Sequence, residues 1–181
     1  MAEVPAATAH QRHGHRAGGG RRLGSRAGSP IDPVWRATVE AEIARHEWET
    51  CACGCGRSAG HLVVTLWDAA EGHPAAFRSL DNHIFIQSNL QPPAPAVCAV
   101  LMAMWSASPP RPAVREGLLW ALSAVLGSED DTLPEDPGLY GACAALIRPG
   151  LDLARRERAA DPDSPAAAYA EDILEVLGQG M

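Results

Sequence analysis

Proline and glycine cut this chain into apolar segments whose spacing suits helices and little else. Asp32-Pro33 places an N-cap side chain beside a proline whose φ already suits a first helical turn. Ser164-Pro165 repeats the signal. Between them, Pro93-Ala-Pro95, Pro109-Pro110, Gly127 and Pro149-Gly150 stop or restart the chain. Trp35, Val39 and Ile43 recur every four residues with charged residues between them, which predicts an amphipathic helix over roughly 33–49. The segment 58–70 is apolar most of the way round and predicts a buried helix.

Helices are likewise predicted over 94–106, 112–126 and 165–177. The Met102, Met104 and Trp105 stripe reads as core. The segment 138–158 reads as a longer helix, kinked or split at Pro149-Gly150. Residues 71–93 are less regular. Ile84-Phe-Ile86 has strand character, but no second strand is in view, so a short helix or ordered loop is expected. No βαβ alternation and no phosphate-binding glycine motif occurs. The fold class is therefore all-α: antiparallel helix pairs, arranged as a short solenoid or an irregular bundle over residues 31–178.

Residues 1–30 differ in kind. They hold six Gly, five Arg and three His (His10, His13, His15), and almost no large apolar residue. Such a segment cannot bury enough surface to offset its ordering entropy, so a disordered tail is expected. The tail carries one acid, for a net +4, while the remaining 151 residues carry ten Arg against 21 acids, for a net −11. A body of that charge repels nucleic acid and anionic lipid and favours a basic protein partner. Five Cys is an odd number, and no apolar leader stretch or span of membrane length appears. These features predict reduced thiols in the cytoplasm and no membrane partner.

The paired helical segments 94–127 and 138–178, with Pro-marked turns and no cofactor motif, resemble HEAT- and armadillo-like helical repeat proteins. The run Cys53-Gly-Cys55-Gly-Arg-Ser-Ala-Gly-His61-Leu, with Leu80-Asp-Asn-His83, Ile86-Gln-Ser88 and Pro93-Ala-Pro95, is similar to short actinobacterial HEAT-like proteins. That resemblance implies a non-enzymatic binding role, of the kind some such proteins play in immunity to toxins.

Three clusters carry candidate chemistry. Cys51, Cys53 and Cys55 with His61 supply four sulfur and nitrogen ligands, the number a zinc site requires. His46 is a further ligand within reach in sequence. Single-residue spacing is tighter than in usual zinc loops, and a plain interhelix turn is the competing reading. Asp81, Asn82, His83 and Gln87 form a polar cluster, either a helix-end capping group or an enzyme site with His83 as a base oriented by Asp81. Glu129, Asp130, Asp131, Glu135 and Asp136 form an acidic loop suited to a basic partner. The leading expectation is a non-enzymatic protein-binding module. The alternatives are a small zinc-binding regulatory protein and a helical enzyme using His83.

Overall fold

A computed structural model describes residues 32–73, 75–109, 111–128 and 138–178. Seven α-helices run through them: α1 (Pro33–Ile43), α2 (His61–Ala70), α3 (Ala94–Ser106), α4 (Pro112–Leu126), α5 (Gly138–Ile147), α6 (Leu151–Ala160) and α7 (Pro165–Gly178). A two-stranded antiparallel ribbon, β1 (Phe85–Ile86) and β2 (Asn89–Leu90), lies between α2 and α3 in the chain. The fold is mostly helical, as the apolar periodicity predicts. The tail 1–30 and the acidic residues Glu129, Asp130, Asp131, Glu135 and Asp136 lie outside the described residues.

The helix starts follow the capping chemistry. The Asp32 carboxylate accepts from the N–H groups of Val34 at 2.7 Å and Trp35 at 3.2 Å, with Pro33 as first helical residue. Ser164 Oγ accepts from the Ala167 N–H at 3.2 Å ahead of α7. The split at Pro149-Gly150 is also present, as a 3₁₀ turn over Arg148–Gly150 between α5 and α6. A Cβ on Gly150 would lie 2.7 Å from Met102 Cε and 3.0 Å from the Trp105 ring. Glycine there lets the α5–α6 corner close onto α3.

Three expectations need correction. The first helix ends at Ile43, six residues before 49, because Trp48 folds back and its indole N–H donates to the Ile43 carbonyl at 2.8 Å. Helix α2 buries Leu62, Leu66, Ala69 and Ala70 but leaves Val64 64% exposed, so it covers one face of the core and is not enclosed by it. The segment 81–91 carries a β-ribbon over 85–90. Its two-residue turn, Gln87-Ser88, has φ of 49° and 69°, the twist that suits a tight hairpin. Neither residue advertises such a turn, as Asn-Gly would, so the pattern Phe-Ile…Asn-Leu gives no warning of a partner strand.

At the centre is α3, which packs against α1, α4 and α5, while α7 packs against α4 and α6. Val97, Cys98, Val100, Leu101 and Met104 on α3 are wholly buried, and Met102 and Trp105 nearly so. Each such large apolar side chain stabilises the fold by about 1.5–3 kcal/mol relative to exposure. The buried Trp35 indole is satisfied by the Met104 carbonyl at 3.3 Å. No repeating helix-pair unit is evident among the described residues. No helix among them is long and apolar enough to cross a membrane.

Candidate metal centre

The chain between α1 and α2 forms a tight loop closed by backbone bonds. The Ala59 N–H donates to the Cys51 carbonyl at 2.9 Å, Cys53 N–H to the Arg57 carbonyl at 2.8 Å, and Gly56 N–H to the Cys53 carbonyl at 2.9 Å. Gly56 sits at φ 81°, a left-handed conformation that glycine adopts without a Cβ penalty. This turn curls Cys53 and Cys55 toward the same side, which an extended Cys-x-Cys would not do. His61, the first residue of α2, faces them.

The fourth ligand comes from the turn that leads into the ribbon. His83 lies between Leu80 and Ile84, both fully buried, so its backbone is fixed by the core. Its carbonyl accepts from the Gly54 N–H at 3.1 Å. A Cβ on Gly54 would come within 2.9 Å of Gln91 Cγ and Ile86 Cδ1, and 3.0 Å of the His83 carbonyl oxygen. Glycine at 54 is therefore what lets ribbon and loop touch.

The four side chains converge. Ligand atoms of Cys53, Cys55, His61 and His83 all lie within 4.8 Å of one another. His61 Nε2 is 3.2 Å from His83 Nδ1. Cys53 Sγ is 3.3 Å from His83 Nδ1 and 3.7 Å from His61 Nε2, and Cys55 Sγ is 3.8 Å from His61 Nε2. A tetrahedral zinc with ordinary bond lengths would separate two nitrogens by about 3.4 Å and a nitrogen and sulfur by about 3.6 Å. The observed nitrogen–sulfur distances bracket the second value, and the nitrogen–nitrogen distance of 3.2 Å falls slightly below the first. His61 Nδ1 lies 2.8 Å from the Ser58 carbonyl, which only accepts, so Nδ1 carries the hydrogen and Nε2 offers its lone pair inward.

Electrostatics favour the neutral forms of Cys53 and His83 in the absence of a cation. Burial pushes the Cys53 thiol up, against the backbone N–H groups of Cys55 and Gly54, which favour its thiolate. Burial, then His61 and Arg57, holds His83 below the ordinary imidazole value. Hydrogen bonding to Arg57 pulls the exposed Cys55 thiol down. Cys53 and His83 are thus driven away from a thiolate–imidazolium pair, the state a cysteine nucleophile would need. Two thiols and two imidazoles, clustered and preoriented, suit a borderline-soft divalent cation.

The structure brings together Cys53, Cys55 and His61 from the predicted set and puts His83 where Cys51 was expected. Cys51 Sγ points at the Ala52 carbonyl instead, at 3.9 Å, and is not one of the converging ligands. His46 is occupied elsewhere, 3.2 Å from Glu42 Oε1 and edge-on to Trp48. The Asp81 carboxylate accepts from the Asn82 N–H at 2.8 Å, and His83 turns toward Cys53. Asn82 and Gln87 are exposed turn residues with positive φ. Sequence reasoning singled out His83 but gave it the wrong neighbours. No spacing rule links it to His61, 22 positions earlier. No protein-family model, no curated protein and no solved structure matches the chain.

Proposed function

We propose that this chain is a zinc-binding helical protein in which Cys53, Cys55, His61 and His83 hold one structural ion. The observation that carries this reading is the convergence of four ligand atoms within 4.8 Å, four of their six separations lying between 3.2 and 3.8 Å, with His61 already oriented by Ser58. Four protein ligands fill the coordination sphere of a structural zinc and leave no open position for a substrate. The ion would supply a crosslink between the 51–59 loop and the segment that carries the ribbon, beside the Gly54 N–H to His83 carbonyl bond. The softer donors argue against calcium or magnesium, which take oxygen ligands.

A closed zinc site fits a binding or regulatory module better than an enzyme. The net −11 outside the tail favours a basic protein partner for such a module. The reading is tested by native mass spectrometry of the full chain after zinc addition and removal of excess metal. One retained zinc ion per chain is expected. A chain that keeps none at micromolar protein overturns the proposal.

A further inference from the structure

The two cysteine ligands differ in a way that a purely structural site does not require. Cys53 is 5% exposed and lies under the ribbon, whereas Cys55 is exposed at the tip of the loop. The Arg57 guanidinium hydrogen-bonds to the Cys55 sulfur. The two sulfurs belong to one cluster within 4.8 Å, with a single residue, Gly54, between them. Residues two apart in a curled loop can meet the spacing a disulfide needs. The other two thiols with full burial, Cys98 and Cys143, are screened from solvent inside the helical core.

We infer that Cys55 is an oxidation site for hydroperoxide-class oxidants, and that its oxidation closes a Cys53–Cys55 disulfide and expels the metal. The inference rests on the zinc reading above. In the first step the zinc-bound Cys55 thiolate attacks one peroxide oxygen. A sulfur–oxygen bond forms, the O–O bond breaks, and hydroxide leaves, giving the sulfenic acid. In the second step the Cys53 thiolate attacks the Cys55 sulfur and displaces a second hydroxide. One peroxide is reduced by two electrons and two thiolates are oxidised by two electrons. A zinc ion held there would leave unchanged as the divalent ion, and the two hydroxides are neutralised by two protons from the buffer acid. A dithiol reductant reverses the thiol chemistry and restores the ligands.

Loss of the ion removes the crosslink between loop and ribbon, so the oxidised chain differs from the reduced one where Gly54 meets His83. The site would act as a redox-gated clamp on that edge of the domain.

The experiment uses the full chain loaded with zinc, its stoichiometry first confirmed by native mass spectrometry. Hydrogen peroxide is then titrated in the presence of a colorimetric zinc chelator, and the products are mapped by peptide mass spectrometry. One zinc released per peroxide consumed is expected, with a Cys53–Cys55 disulfide and recovery of zinc binding after dithiothreitol. A Cys51→Ser variant should respond at the same rate, within about twofold, if Cys51 has no part in resolving the sulfenic acid. Retention of zinc under peroxide, a disulfide through Cys51, or direct over-oxidation of Cys55 without a disulfide each overturns the inference. A chain that never takes up zinc fails at the first step and overturns the metal reading instead.

Discussion

His61 Nε2 lies 3.2 Å from His83 Nδ1, across 22 positions of sequence. Because His61 Nδ1 donates to the Ser58 carbonyl, its Nε2 can only accept while the ring is neutral. The metal-free protein therefore places the His83 proton on Nδ1, where it donates to His61. A metal cannot share that space with the proton. Zinc binding must move His83 to the Nε2–H tautomer while His61 keeps its Nδ1–H. Nitrogen-15 correlation spectra of the imidazoles should show that switch at His83 alone. An Nδ1–H signal at His83 persisting in the zinc-loaded protein would be incompatible with the proposed ligand set.

The ligand assignment separates sharply from the one the sequence suggests. His83→Ala and Cys53→Ala each remove one of the four converging atoms. Zinc affinity should fall by more than about 100-fold, the upper end of what losing only an outer partner costs. Cys51→Ser should leave affinity within about threefold, since its sulfur faces the Ala52 carbonyl. Competition with a chelator of known affinity measures both. A large loss in Cys51→Ser with His83→Ala unaffected would restore the set read from sequence.

That contrast shows what was legible. Asp32-Pro33, Ser164-Pro165 and Pro149-Gly150 act within one helical turn, so their consequences can be read locally, and α1, α7 and the α5–α6 break start or fall where they indicate. Cys53, Cys55 and His61 lie within nine residues, and the loop between them closes on its own backbone bonds. His83 is different. Its position depends on a hairpin with no turn signature and on the packing of Leu80 and Ile84 into the core. A ligand delivered by tertiary packing leaves no trace in local spacing. The same holds for Trp48, whose reach back to Ile43 shortens α1.

Two glycines should separate fold stability from site assembly. A Cβ on Gly117 would lie 2.3 Å from the buried Phe77 ring, so Gly117→Ala overpacks the junction between α4 and the 76–80 turn. It should lower stability by about 1–3 kcal/mol in urea unfolding yet leave zinc stoichiometry unchanged. Gly54→Ala crowds the His83 carbonyl and two ribbon side chains, so it should lower both stability and zinc affinity. Parallel urea and zinc titrations distinguish the two. A Gly54→Ala variant with undiminished zinc affinity would detach the ribbon from the site.

Proton competition sets the pH dependence. Zinc needs both thiols deprotonated, and burial raises the Cys53 value above that of an ordinary thiol. His83 is held below the usual imidazole value, so it is already neutral at pH 7 and adds no competing proton there. Between about pH 8 and pH 7, apparent affinity should therefore fall with acidification through the thiols alone, by up to about 100-fold per pH unit. Isothermal titration in buffers of different ionisation enthalpy counts the protons released. A pH-independent affinity across that interval would mean that thiolates are not ligands.

Thiol reactivity should rank the five cysteines without any added metal. Cys98 and Cys143 are wholly buried, and the Cys98 thiol is pushed well above its ordinary value by Cys143 and by burial. Cys55 is exposed and lowered by Arg57, while Cys51 and Cys53 are raised by burial. Iodoacetamide at neutral pH should therefore label Cys55 first, and label Cys98 and Cys143 only after unfolding. Zinc should protect Cys53 and Cys55 together and leave the Cys51 rate unchanged within about twofold, because its sulfur is outside the coordinating group. Timed alkylation read by peptide mass spectrometry gives all five rates in one experiment. Equal protection of all three loop cysteines would place Cys51 in the coordination sphere. Protection of none, at saturating zinc, would leave the cluster as a turn stabilised by sulfur–imidazole contacts alone.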